Sequence, residues 1–427
     1  MGKLSRGDLL PGDRPASASS ASADLIRQLQ LLEAPGVNTL LAGEQPIVWD
    51  EALGANVLDV DGRVFVDLTS GFGVASVGHR HPAVVRAIAS QSERLLHGLG
   101  DVAAHPARIE LAQRLVDLAP VDDAQVYFAI SGSDAVEIAL KTALLSTGRA
   151  RVLSFEGGYH GLTLGALATT SRPDFREPFL ARLTPWVQRL PFGADMVSIR
   201  AALPDCGAVL VEPILGREGV VLPPANWLRD LAHCARDAGV LLIADEIFTG
   251  FGRTGRWFAV DHDAVRPDVL VVGKALGGGL PIAAVVASRS VFAAWQRGGE
   301  ALHTATFLAH PLACAAALAT LTALEHEGLV ARAAHLGAQI ASRTAHWVAF
   351  KGVRAVRGRG LLWGIEMNQP ASATALQSSL RESGVLALRS GSQGTVLQIV
   401  PPFTISDAQL DYCLDTIERL LRHSAAP

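Results

Sequence analysis

Between residues 125 and 287 the chain alternates short, continuously apolar runs with longer stretches of helical periodicity, and this rhythm narrows the choice of fold more than any other feature. The runs are QVYFAI (125–130), RVLSF (151–155), AVLVEP (208–213), VLLIAD (240–245), VLVV (269–272) and IAAVVA (282–287), with helical patterns at 134–147 and 227–238. A strand that is apolar along its whole length must be covered on both faces. The expected fold class is therefore α/β, a mostly parallel sheet large domain with helices on both faces. Sheets of that kind bind ligands beyond the carboxyl ends of their strands, so chemistry is expected at strand ends.

The flanks read differently. Residues 1–23 are charged and Ser/Ala-rich, the composition of a disordered tail, with no apolar core of a signal peptide. Residues 24–75 hold a helical spacing of Leu25, Leu29 and Leu32, then an Asp-Gly hairpin signal in ANVLDVDGRVFVD (55–67). They are expected to form the N-terminal part of a smaller α+β domain completed by 325–427, around a large domain at 76–324. Charged residues are only 18% of the chain, below the roughly 25% usual for soluble domains, which favours a large core over disorder. A net charge of −4 without a basic block argues against nucleic-acid binding. The Ala-rich segment 307–324 contains His310 and Pro311 and reads as a buried helix, so no membrane association is expected. Cys206, Cys234, Cys314 and Cys413 lie far apart without zinc spacing, which fits reduced core thiols, a cytoplasmic setting and no metal.

Three features occupy strand ends. Ser131-Gly132-Ser133 joins the run ending at Ile130 to a helix, a turn whose free N–H groups suit a phosphate; a plain Ser N-cap is the ordinary alternative. Asp245-Glu246 closes an apolar strand, where a carboxylate needs a cationic or N–H partner unless it merely caps the next loop. The glycine-dense loop 250–255 that follows lacks the Gly-Lys-Ser/Thr of a P-loop. Lys274 ends the next strand beside Gly277-Gly278-Gly279. Only four lysines exist: Lys3 lies in the tail, Lys141 on a helix with Glu137 at i−4, and Lys351 in a polar linker. Desolvation at a strand end favours the neutral amine that attacks carbonyls. A phosphate cup, a buried carboxylate and an isolated lysine together describe a pyridoxal 5'-phosphate site, and Tyr159 offers a ring to stack on the cofactor.

In order and spacing, Asp245-Glu246-Ile247, the 250–255 loop, Pro267-Asp268 and Gly273-Lys274 resemble the signature of class III (omega-type) aminotransferases, which are fold type I pyridoxal-phosphate enzymes. Gly78-His79-Arg80-His81-Pro82, Tyr159-His160-Gly161, Glu212-Pro213, Thr306-Phe307 and Arg357-Gly358-Arg359-Gly360 extend the resemblance from about Ile47 to Leu421. It implies a Schiff-base and proton-shuttling role for Lys274 and a pyridinium partner in Asp245. It further implies a cofactor-binding set of Ser131, Gly132, Ser133, Tyr159, His160, Glu212, Ile247 and Thr306. Thr306 would act across a homodimer interface, and Phe72 would line the substrate pocket. Small-molecule amines and oxo compounds are the expected substrates, exchanged by a ping-pong mechanism. A racemase or epimerase of an amino acid or lactam is the alternative within the family.

Two departures stand out. The arginine that usually precedes the C-terminal Pro-Pro is Gln398 here, and the usual Gln-Gly-Glu after Glu-Pro is Leu215-Gly216-Arg217. Arg217 is accordingly a candidate carboxylate contact, with a solvated loop residue as the alternative. Asp134 stands where the family usually has Glu.

Overall fold

The structure is a computed structural model that describes residues 4–13, 21–36 and 47–423. A helix, Ala21–Leu32, precedes an antiparallel meander of β1 (Trp49–Leu53), β2 (Asn56–Asp59) and β3 (Val64–Asp67). Its tight corner uses Gly62 at φ 81°, with the Gly62 N–H donating to the Asp59 carbonyl.

The middle of the chain builds one seven-stranded sheet from β4 (Ala124–Ala129), β5 (Arg151–Phe155), β6 (Val187–Leu190), β7 (Cys206–Val211), β8 (Leu241–Asp245), β9 (Val269–Val272) and β10 (Ala283–Ser288). The spatial order is β4-β10-β9-β8-β7-β5-β6. Only β10 runs against its neighbours, pairing antiparallel with both β4 and β9. All six residues of β7 are buried, and they alternate between two cores. Val209 and Val211 pack with Leu153 and Phe155 on one face, while Ala208 and Leu210 pack with Ile243 and Val271 on the other. This two-sided burial is what the continuous apolar runs require.

The last third adds β11 (Val353–Arg359), β12 (Leu362–Met367), β13 (Val385–Leu386), β14 (Leu388–Ser390) and β15 (Val396–Ile399). Four of these form a sheet in the order β11-β12-β15-β14. β13 instead pairs in parallel with β3, Val385 opposite Val66, so the beginning and end of the chain share one small sheet. The Ala-rich segment is the helix Pro311–His326, and among the described residues no helix is long and apolar enough to cross a membrane.

Three sequence expectations need correction. Residues 4–13, assigned by composition to a tail, are docked: Leu4 is 4% exposed against Leu58 and Val64, and Leu9 N–H donates to Asn56 Oδ1. Gln409 Nε2 adds hydrogen bonds to the carbonyls of Gly7 and Leu9. Polar composition missed these side-chain anchors because they come from residues 47 and about 400 positions away. β6 was not expected, since its half-buried residues at the sheet edge include Gln188 and Arg189. Nor does Lys141 pair with Glu137. Lys141 Nζ donates to His303 Nδ1 (2.8 Å), while Glu137 Oε1 accepts from Thr163 Oγ1 and from the N–H groups of Gly165 and Ala166.

Candidate active site

Lys274 follows β9 and Gly273, at the carboxyl edge where a doubly covered sheet places its ligands. Its backbone is left-handed (φ 41°), the first residue of a short 3-10 turn. Nζ lies 4.1 Å from the centre of the Phe248 ring. Burial lowers the ammonium pKa to about 8, opposed by the negative charges of Glu212 and Asp245 and assisted by the positive charges of Arg217 and Arg253. The ring beneath the amine is itself gripped. A Cβ on Gly73 would come within 2.6 Å of Phe248, and one on Gly216 within 2.2 Å.

Asp245 is the last residue of β8 and is 3% exposed. Its Oδ1 accepts from Ile247 N–H (3.1 Å) and its Oδ2 from His160 Nδ1 (2.8 Å), so both oxygens are held in place. Glu212, after β7, accepts from Tyr159 N–H (2.8 Å) and Gly216 N–H (3.1 Å). Burial raises its pKa to about 7, with His160 lowering it and Asp245 raising it further. Its neighbour in kind, Glu246, accepts from Val260 N–H and Thr249 Oγ1, and burial again lifts the pKa to about 7.

The loop above Glu246 ends in a buried clamp. Arg253, 1% exposed, donates to the carbonyls of Leu361 and Pro401 and to Ser70 and Ser76 Oγ, with its guanidinium 4.6 Å from the centre of the Phe403 ring. Burial brings its pKa down to about 9.

The helix Gly132–Thr147 begins at the same edge. Ser131 is its N-cap, accepting from Asp134 N–H, which leaves the Gly132 and Ser133 N–H groups as the first donors without intrahelical partners. Ser133 Oγ accepts from the N–H groups of Leu162 and Thr163 and meets Thr163 Oγ1. Thr163 donates its hydroxyl proton to Glu137, so the Ser133 hydroxyl donates to Thr163 and is fully engaged in ordering that loop. Asp134 accepts from Ile130 N–H and from His303 Nε2, the ring nitrogen left to donate once Lys141 takes Nδ1.

A cavity of about 1420 Å³ opens at this edge. It brings together Phe72, Gly132, Ser133, Tyr159, His160, Glu212, Arg217, Asp245, Ile247, Lys274 and Gln398. Ser131 and Thr306 do not line it. Ser131 lies behind as the cap, and Thr306 is exposed with its carbonyl accepting from His97 Nε2. Phe72 is 58% exposed and sits in a run of four left-handed residues, 70–73, with φ between 46° and 84°. Such backbone costs on the order of 1–3 kcal/mol at each non-glycine position, and here it carries the ring into the cavity.

The residues fit pyridoxal phosphate. Free N–H groups at a helix start suit its phosphate, and a Cβ on Gly132 would come within 2.9 Å of Ile247, so only glycine leaves that cradle open. A buried carboxylate and a lysine amine complete the set. Among the described residues no group of three or more His, Cys, Asp or Glu side chains could hold a metal ion.

Sequence reasoning missed Phe248, Thr163 and Arg172, which also line the cavity. Phe248 directly follows Ile247 in the signature run, and Thr163 lies two residues from Gly161; their proximity to those motifs was the available signal. The two departures from the family pattern meet directly: Gln398, 8% exposed on β15, donates from Nε2 to the carbonyl of Gly216 (2.6 Å), the residue before Arg217.

The family model for class-III aminotransferases matches residues 41–421. The chain is 38% identical over 387 residues to acetylornithine aminotransferase of Methanopyrus kandleri, covering 90% of this chain and 95% of that one. It is 40% identical over 374 residues to acetylornithine aminotransferase of Mycobacterium tuberculosis, covering 86% and 90%. The solved ornithine aminotransferase of Toxoplasma gondii superposes with a TM-score of 0.87 at 30% identity, over 94% of this chain and 95% of that one.

Proposed function

The chain belongs to the class-III aminotransferases, a pyridoxal-phosphate-dependent family, and from that membership we propose how its own residues perform amino transfer. The observation that carries the reading is Lys274, an amine at a strand end whose pKa is pulled to about 8 beside two carboxylates. When bound, pyridoxal phosphate supplies an aldehyde for that amine and a ring that withdraws electrons from the substrate carbon. Near neutral pH a usable fraction of Lys274 is unprotonated, so Nζ serves as nucleophile and then holds and returns the proton of the substrate carbon. Asp245, fixed by His160 and the Ile247 N–H, offers its carboxylate to the ring nitrogen. The Gly132 and Ser133 N–H groups would hold the phosphate, and Tyr159 and Ile247 would flank the ring. Glu212 orients the Tyr159 backbone and the 212–219 loop.

Transfer proceeds by ping-pong exchange between an amine or amino-acid donor and a 2-oxo acid, aldehyde or ketone acceptor. The relatives are named as aminotransferases, which favours transfer over racemisation. The same reading includes a homodimer with shared sites. Leu96, Leu99, Val102, Leu302 and Phe307 are all more than half exposed, on two segments joined by the His97–Thr306 hydrogen bond, and a partner would cover them. The β3–β13 pairing supports a small domain made of 24–75 and 325–427 around a 76–324 cofactor domain. Four buried cysteines, none in a disulfide, support a cytoplasmic setting.

Lys274→Ala should lose turnover entirely across a donor–acceptor panel. In the native enzyme, a donor alone should remove the long-wavelength cofactor absorption. Substantial turnover in the variant, or absorption unchanged by every donor, would refute the assignment.

A further inference from the structure

Arg217 has an unusual environment for a cation beside a catalytic amine. Its guanidinium lies between two aromatic rings, 5.1 Å from the centre of Tyr159 and 5.4 Å from that of Phe175. The Nε is buried and has no hydrogen-bond partner, and among the described residues no carboxylate pairs with the guanidinium. Arg172 approaches the same Phe175 ring at 4.9 Å. It donates from Nε and Nη2 to Asp174, which occupies one edge of its fork and leaves Nη1 over. Both arginines line the cavity that holds Lys274.

The backbone around Arg217 is pinned from three directions. Glu212 Oε2 accepts from Gly216 N–H, Gln398 Nε2 donates to Gly216 O, and Gly391 N–H donates to Arg217 O (2.9 Å). A cation fixed this firmly, stacked on apolar rings and left with open donors, lacks one component: an anion. Guanidinium donors match a carboxylate edge to edge, and a partly desolvated site strengthens that match.

We propose that Arg217, with Arg172 across Phe175, forms the subsite for a substrate carboxylate, and that Gln398 positions it by holding Gly216. The proposal rests on the aminotransferase reading and names its substrate class: carboxylate-bearing amino donors and oxo acids in preference to uncharged amines, aldehydes and ketones. Gln398 is thereby a positioning residue and not a substrate contact.

The test uses holoenzyme and paired acceptors, a 2-oxo acid and the aldehyde of matching chain without the carboxylate. Losing a charge-assisted hydrogen bond should raise the oxo-acid KM by roughly 10- to 100-fold relative to the aldehyde KM in Arg217→Ala, while any change in kcat that comes through the Lys274 amine should be shared by both acceptors. Arg217→Lys keeps the charge without the fork and should fall between the wild type and Arg217→Ala, and it remains readable should the alanine variant not fold. Gln398→Ala should raise the oxo-acid KM by a smaller factor, again sparing the aldehyde. An oxo-acid KM unchanged in both Arg217 variants, or an equal rise for both acceptors, would overturn the subsite. Donor-driven loss of cofactor absorption separates the two claims. If it persists while the KM values do not move, the subsite fails and the aminotransferase reading stands; if it is absent in the wild type, that reading fails.

Discussion

Two loops of this molecule start alike and end differently. One leaves β7 at Glu212 and reaches Arg217; the other leaves β8 at Glu246 and reaches Arg253. Each begins with a buried glutamate that accepts a backbone N–H from its own loop region and has its pKa lifted by burial to about 7. Each presents an arginine over an aromatic ring. Yet Arg253 spends four donor contacts on two carbonyls and two serines of the small-domain segments and the 70–76 turn, whereas the Arg217 guanidinium makes none among the described residues. The second loop's cation is consumed by the fold and the first's is held in reserve for a ligand. The partners, and not the type of residue, separate a structural arginine from a functional one.

Stability should show this most strongly. Arg253→Leu strands several buried acceptors at once, and its expected cost is about 3–5 kcal/mol in denaturant unfolding. Arg217→Leu, which breaks no hydrogen bond, should cost about 1 kcal/mol or less. Equal losses would dissolve the distinction. The loops also touch, through Gly216 and Phe248. Gly216→Ala must displace that ring, since its Cβ would come within 2.2 Å, and overpacking of this kind costs about 1–3 kcal/mol. Because Phe248 underlies the Lys274 amine, kcat should fall even with acceptors that lack a carboxylate; an unchanged kcat would show that the ring can move without consequence.

A smaller effect concerns protons. Glu246 binds its proton more tightly folded than unfolded, with its pKa raised from 4.5 to about 7. Between those values the native state holds the extra proton, so Glu246 makes stability fall as pH rises from about 4.5 to 7, with a slope of at most about 1.4 kcal/mol per pH unit. Glu246→Gln should flatten that part of a stability–pH curve, measured by unfolding at fixed denaturant steps. An unaltered slope would place the proton elsewhere.

Much of this was readable in advance for a physical reason. Lys274 and Asp245 end strands whose apolar runs are continuous, and a charge at such a place contradicts its surroundings in the sequence itself. Phe248, Arg172 and the hydrogen bond from Gln398 to Gly216 have no such signature. A phenylalanine between an isoleucine and a threonine and an arginine before a proline are ordinary locally, and their meaning comes from contacts such as the one spanning 182 positions. The edge strand β6 escaped for the converse reason: half-burial permits polar residues, so its sequence carries little contrast. Lys141 was misjudged because i−4 proximity on a helix is only one competitor: His303 engages Lys141, and the Thr163 hydroxyl with the Gly165 and Ala166 N–H groups engages Glu137.

The contact between Gln398 and Gly216 also constrains how such a site can change over evolutionary time. Placing a guanidinium at position 398 would add a third cation near Arg217 and Arg172 while releasing the loop that Gln398 holds. Placing an acid at 217 alone would remove the guanidinium that faces the cavity and leave a carboxylate that competes with the substrate's for Arg172. Each single reversal passes through a poorer enzyme, so the two positions form an epistatic pair whose substitution effects will not add. Sequence change at this corner has to come in couples, and a relative carrying only one member would occupy a valley between two workable arrangements.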